Sequence, residues 1–113
     1  STYVTTTAFR ETYSNLGSGT NVTIDLSTAN NFRRQFTSSG AVTFSNPPAG
    51  KAFGFTLLVV NGGSGTITWP GTVRWAGGTG APALTASGTD ILVFYTYDGG
   101  TTYYGFLTGK NMA

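Results

Sequence analysis

The chain has 113 residues, enough for one domain with a sizeable core, but only six basic and four acidic side chains and no cysteine or histidine. Those absences exclude disulfide and thiol chemistry, His- or Cys-built zinc sites, and the Ser-His-Asp and Cys-His arrangements. The net charge of +2 is spread along the chain, with Arg33-Arg34 the only adjacent basic pair, so the clustered footprint of a nucleic-acid binder is missing.

The remaining composition favours a folded β protein. Aromatics make up 14% of residues and charges 9%, the reverse of a disordered chain. No apolar run approaches the ~20 residues of a membrane-spanning helix. The start, STYVTTTAFRE, is polar and Thr-rich and lacks a signal-peptide pattern. The expectation is a soluble chain, complete as it stands.

From Ser1 to Gly19 the chain is the least globular. Tyr3, Thr5, Thr7 and Phe9 share one parity, so an extended segment places both aromatics on one face. Two readings stay open: a first edge strand, or an arm that docks onto a neighbouring subunit. Leu16-Gly17-Ser18-Gly19 reads as a loop, which makes 1–20 an arm and linker and 21–113 the β-sandwich domain. Asn21 to Ser27 then alternates, with Val22, Ile24 and Leu26 on one face.

Asn31 to Thr37 puts Phe32, Arg34 and Phe36 on one face. An Arg so placed is not expected to be fully buried, and either stacks on an aromatic ring or lies at a subunit interface. Ala41 to Ser45 is a further strand, and Asn46-Pro47-Pro48-Ala49-Gly50 a stiff loop. Ala52 to Pro70 reads as a β-hairpin: an apolar strand from Phe53 to Val60, a reversal at Asn61 to Gly65 whose glycines supply positive φ, and a return through Thr66 to Trp69. Thr72 to Trp75 is a short strand or crossing segment, and Gly77 to Ser87 a long loop. Thr89 to Tyr97 is apolar on both faces and therefore central. Asp98-Gly99-Gly100-Thr101 is a strong hairpin signal leading into Thr102 to Thr108.

About eight strands and no helical periodicity predict an all-β fold: a single antiparallel β-sandwich, jelly-roll-like, with an extended N-terminal arm. The four carboxylates, Glu11, Asp25, Asp90 and Asp98, each have a structural explanation, and no nucleophile–base pair stands out. The expectation is no enzyme, with no catalytic, cofactor-binding or metal-binding residues. Exposed Trp and Tyr suit stacking on sugars or a protein interface. The candidate contacts are Tyr3, Phe9, Arg34, Trp75, Tyr97, Tyr103 and Tyr104, whereas the parity of Trp69 with Ile67 favours a place at the end of the core. Phe32, Phe36, Tyr3 and Phe9 look like more apolar surface than a small sandwich buries, which points to association.

From Asn21 to Ala113 the sequence resembles a β-domain common in tailed-bacteriophage virion proteins of the tail-fibre or decoration type. The resembling segments are NVTIDLSTANNF, then ITWPGTVRW with its Gly-Ala-Pro loop, and DILVFYTYDGGTTYYG near the end. The resemblance implies a place on the outer surface of the virion, in assembly or host attachment, commonly as a homotrimer. A short arm plus one domain suits a capsid decoration (cement) protein with the major capsid protein as partner. The alternative is a tail-fibre or tail-tip domain among tail proteins, recognising host-surface glycan. Neither nucleic acid nor membrane is an expected partner.

Overall fold

The computed structural model describes residues 3–113. Nine strands form in chain order: β1 (Tyr13–Gly19), β2 (Val22–Asp25), β3 (Asn31–Phe36), β4 (Gly40–Ser45), β5 (Phe53–Val60), β6 (Ile67–Thr68), β7 (Val73–Trp75), β8 (Thr89–Thr96) and β9 (Tyr103–Gly109). They build a six-stranded sheet ordered β1-β3-β5-β8-β9-β7 and a three-stranded sheet ordered β2-β4-β6.

The predominantly β class agrees with the alternation in the sequence, but the antiparallel arrangement does not hold. The small sheet is wholly parallel, and the large one is mixed: β1, β3 and β5 run parallel, β5-β8 and β8-β9 antiparallel, and β9-β7 parallel. From β1 to β7 each successive strand changes sheet, so the chain winds between the two sheets and like strands stack in parallel. Only β8 and β9 return side by side.

The expected hairpin over Ala52 to Pro70 is therefore a crossover. β5 pairs with β3 and β8, whereas β6 pairs with β4 in the other sheet. The glycines also serve a different purpose from the one their composition suggests. Asn61, not a glycine, takes the left-handed conformation (φ 57°), and Gly62–Ser64 form a 3-10 turn. A Cβ on Gly63 would run into the Leu84 carbonyl, and one on Gly65 into the Ser39 backbone. Close backbone approach requires glycine here.

Near the start of the chain, Tyr13–Gly19 is an edge strand that takes in Leu16–Gly19, where a loop was expected. It pairs with β3 across a register shift between Asn15 and Ser18, and Gly17 sits at φ 75°. The sheet thus begins inside the segment read as arm and linker.

The hairpin at Asp98–Thr101 is present. Gly99 and Gly100 carry positive φ, and Asp98 accepts hydrogen bonds from the Thr102 amide and the Thr96 hydroxyl, both at 3.0 Å. The two long apolar runs, β5 and β8, are the two middle strands of the large sheet, as their composition required.

The core lies between the inward faces of the sheets. Ile24 and Val42 of the small sheet meet Phe32, Phe36, Phe55, Leu57, Val59, Leu92 and Phe94 of the large one, all at 3% exposure or less. Phe44 is the aromatic hub, with ring centroids 5.2 Å from Phe55, 5.3 Å from Phe94 and 4.8 Å from Tyr103 in edge-on geometry. Phe32 and Phe36, expected to be surplus apolar surface, belong to this core.

Candidate interaction face

Strand side chains alternate between faces, so the large sheet's inward set fixes its outward set. Opposite the core, register places Tyr95 beside Tyr104 and Tyr104 beside Arg74. The next row reads Thr56, Val93, Phe106, and beyond it Arg33, Leu58 and Ile91 stand side by side. Tyr95, Tyr104 and Phe106 are 42%, 38% and 48% exposed, and Tyr97, continuing the parity of Tyr95, is exposed as well. Large aromatics thus occupy one continuous outer face with an Arg toward either side. No carboxylate stands at an outward position of the six strands. A surface of this kind is apolar and weakly cationic, suited to a partner that supplies apolar area and hydrogen-bond acceptors.

The segment before β1 joins this face at its rim. The Asn30 and Asn31 amides donate to the Thr12 carbonyl at 3.3 Å, and the Asn31 side-chain amide donates to Glu11 Oε1 at 3.2 Å. From Tyr3 to Thr12 there is no strand, and Tyr3, Val4 and Phe9 are 82%, 82% and 73% exposed. Among the described residues nothing covers their apolar side chains.

The candidate residues separate accordingly. Tyr3 and Phe9 are exposed on the arm, and Tyr97 and Tyr104 on the outer face. Trp75 is half-buried, its ring 5.5 Å from Trp69 and 5.7 Å from Phe94. Tyr103 is buried, and burial together with the negative charge of Asp98 pushes its phenol above the ordinary range. Tyr103 and Tyr104 are sequence neighbours, so the pleat sends one inward and the other out. Phe106, absent from the sequence-based candidates, joins the face; its signal is the parity it shares with Tyr104 in TYYGFLT.

Arg34 is the largest departure. It is 7% exposed, inside the chain and not on a surface. Its guanidinium donates to the carbonyls of Leu16 (2.8 Å), Thr20 (3.3 Å) and Asn21 (3.1 Å) and lies 5.6 Å from the Phe36 ring centroid. Stacking on an aromatic, one of the two expected environments, is therefore present. Nε is left without a partner. The charge is solvated by backbone carbonyls, which is how Arg becomes tolerable between two core Phe residues.

Three of the carboxylates are held in local networks. Asp25 accepts from the Ser27 hydroxyl, the Asn46 side chain and the Ser27 amide, which together hold its pKa below the usual value. Desolvation pushes Asp90 upward, but the Thr85 and Asn111 amides, the Thr85 hydroxyl and the charge of Lys110 outweigh it and leave the pKa lowered. For Asp98 the Thr102 amide is the main cause of a lowered pKa, working against desolvation. Among the described residues no group of three or more His, Cys, Asp or Glu is placed to hold a metal ion, and no helix is long and apolar enough to cross a membrane. No protein-family model, curated protein or solved structure matches this chain.

Proposed function

We propose that this chain is a non-enzymatic structural protein of a bacteriophage virion: a capsid decoration protein that, as a homotrimer on the outer surface, binds the major capsid protein of the assembled shell and stabilises it. The observation that carries the reading is the unpartnered aromatic face of the large sheet, with the exposed apolar arm rooted at its rim. Together with the sequence resemblance to virion β-domains, it supports a protein that acts by burying surface. Tyr95, Tyr104 and Phe106 are 38–48% exposed, so covering each adds less than half of the about 1.5–3 kcal/mol that full burial of such a side chain is worth. A protein that binds the closed lattice and not its loose subunits stabilises the lattice by mass action.

The test is restoration. Particles stripped of the protein regain heat resistance when wild-type protein is added back, and do not regain it with Phe106→Arg, an outward substitution that leaves the core intact. Equal rescue by both proteins would overturn the assignment of the face, and no rescue by the wild type would overturn the decoration reading.

The winding of the chain favours a second reading as a tail-fibre or tail-tip domain recognising host-surface carbohydrate. β1 and β2, the edge strands of the two sheets, belong to the same first turn of the winding. Paired edges of this kind are where another turn stacks in elongated β-solenoids. In that case the protein copurifies with tails, and host adsorption depends on it.

A further inference from the structure

Away from the outer face, the two tryptophans floor a pair of adjoining grooves. The larger, about 340 Å³, runs between the β5-β6 crossover and the segment Ala81–Leu84, with Trp69 among its lining residues. The smaller, about 190 Å³, is bounded by Trp75, Thr79 and Gly105. Pro82 lines both, so the grooves meet around it. The two indoles stand edge to face at 5.5 Å, one serving each groove.

The chemistry of the lining is selective. No charged residue lines either groove, which disfavours phosphates, nucleotides and acidic ligands. Arg74, next to Trp75 in sequence, projects to the opposite face of the sheet and donates to the Gly71 carbonyl at 3.0 Å. Half of the lining residues are Gly or Ala, which keep the walls low, and Thr66 and Thr79 add side-chain hydroxyls that can pair with a ligand's hydroxyls. Neither indole N–H donates to a protein acceptor among the described residues. Among the described residues neither indole nitrogen is a fully buried donor without a partner, a state found only for Arg34 Nε.

Half-buried indoles lining each groove, N–H donors without a protein acceptor among the described residues, threonine hydroxyls and an uncharged wall match one ligand class. We propose that the Trp69–Pro82–Trp75 groove binds a neutral oligosaccharide, with a pyranose ring against each indole. This holds whether the chain sits on the shell or the tail, because the groove shares no residue with the aromatic outer face.

The experiment uses the full chain labelled with nitrogen-15. Its two tryptophans give two indole N–H resonances, one per groove. Maltose, cellobiose, lactose and mannobiose are the probes. At least one is expected to shift both indole resonances saturably, with a Kd of about 1 mM. Ala83→Arg, an exposed substitution that puts a long cation into the larger groove, is expected to weaken that binding by about tenfold or more while the remaining spectrum stays that of the folded chain. Tyr104→Ala, on the opposite face, is expected to leave the affinity unchanged. If no probe moves either indole resonance up to its solubility, or if Ala83→Arg binds as tightly as wild type, the proposal is wrong. Neither result bears on the capsid or tail assignment, which rests on particle composition and heat resistance.

Discussion

Replacing Arg34 by Ala removes the only donors that the Leu16, Thr20 and Asn21 carbonyls receive from this side chain, and with them the tie between β3 and the β1-β2 connection. Hydrogen bonds to a charged group contribute about 1.5–3 kcal/mol each, but the desolvation of the guanidinium and its unpaired Nε offset part of this. A net loss of about 3–5 kcal/mol is expected, including the cavity left between Phe32 and Phe36. Unfolding entropy of about 2.1 cal/mol/K per residue gives about 0.24 kcal/mol/K for 113 residues, so Tm should fall by about 12–20 °C. Arg34→Lys keeps the charge, but a single ammonium does not reproduce the fork that spans three carbonyls, and about half the loss is expected. Thermal unfolding followed by circular dichroism reads both variants. A drop below about 4 °C for Arg34→Ala, roughly 1 kcal/mol, would show that the carbonyls are satisfied without the arginine and refute this role.

Gly63→Ala should destabilise the fold strongly because its Cβ meets the Leu84 carbonyl, whereas Gly71→Ala, with open space around it, should be neutral or stabilise by up to about 1 kcal/mol; chemical denaturation separates the two. Asp90→Ala strands the Thr85 and Asn111 amides and should cost about 2–4 kcal/mol by the same assay. Asp25, Asp90 and Asp98 have folded pKa values below their unfolded ones, so their contribution is present above the unfolded value of about 3.9 and lost as pH falls through the folded values. Stability should therefore be level from about pH 5 to 8 and fall below about pH 4, and a midpoint that rises on acidification would contradict the assignment. Phe106→Arg should leave Tm within about 2 °C of wild type, as an exposed substitution does, while removing association seen by light scattering. A wild-type monomer at micromolar concentration would count against a trimer formed in solution.

Parity made the faces legible. In VTID and NFRRQF the apolar positions Ile24, Phe32 and Phe36 are buried on the face their parity gives, and the two long apolar runs became the middle strands. Pairing was not legible, because a crossover and a hairpin share the same local signals. Asn61-Gly62-Gly63-Ser64-Gly65 has turn composition, yet the facts that decide its course are remote: the Leu84 carbonyl against Gly63, and β4 waiting in the other sheet for β6. The burial of Arg34 was hidden for a related reason, since its partners are main-chain carbonyls, which carry no side-chain signature. At the outer face, Tyr97 and Tyr104 were among the sequence candidates and Phe106 was not, because the adjacent Tyr103 and Tyr104 were both named and no single parity was chosen that would bring Phe106 in with Tyr104.

The central claim is that the chain is a stoichiometric part of the shell, and quantitative mass spectrometry of purified virions tests it most directly. The account predicts a copy number equal to that of the major capsid protein or a simple fraction of it. A copy number matching tail components would transfer the protein to the fibre, and its absence from the particle would contradict the account altogether.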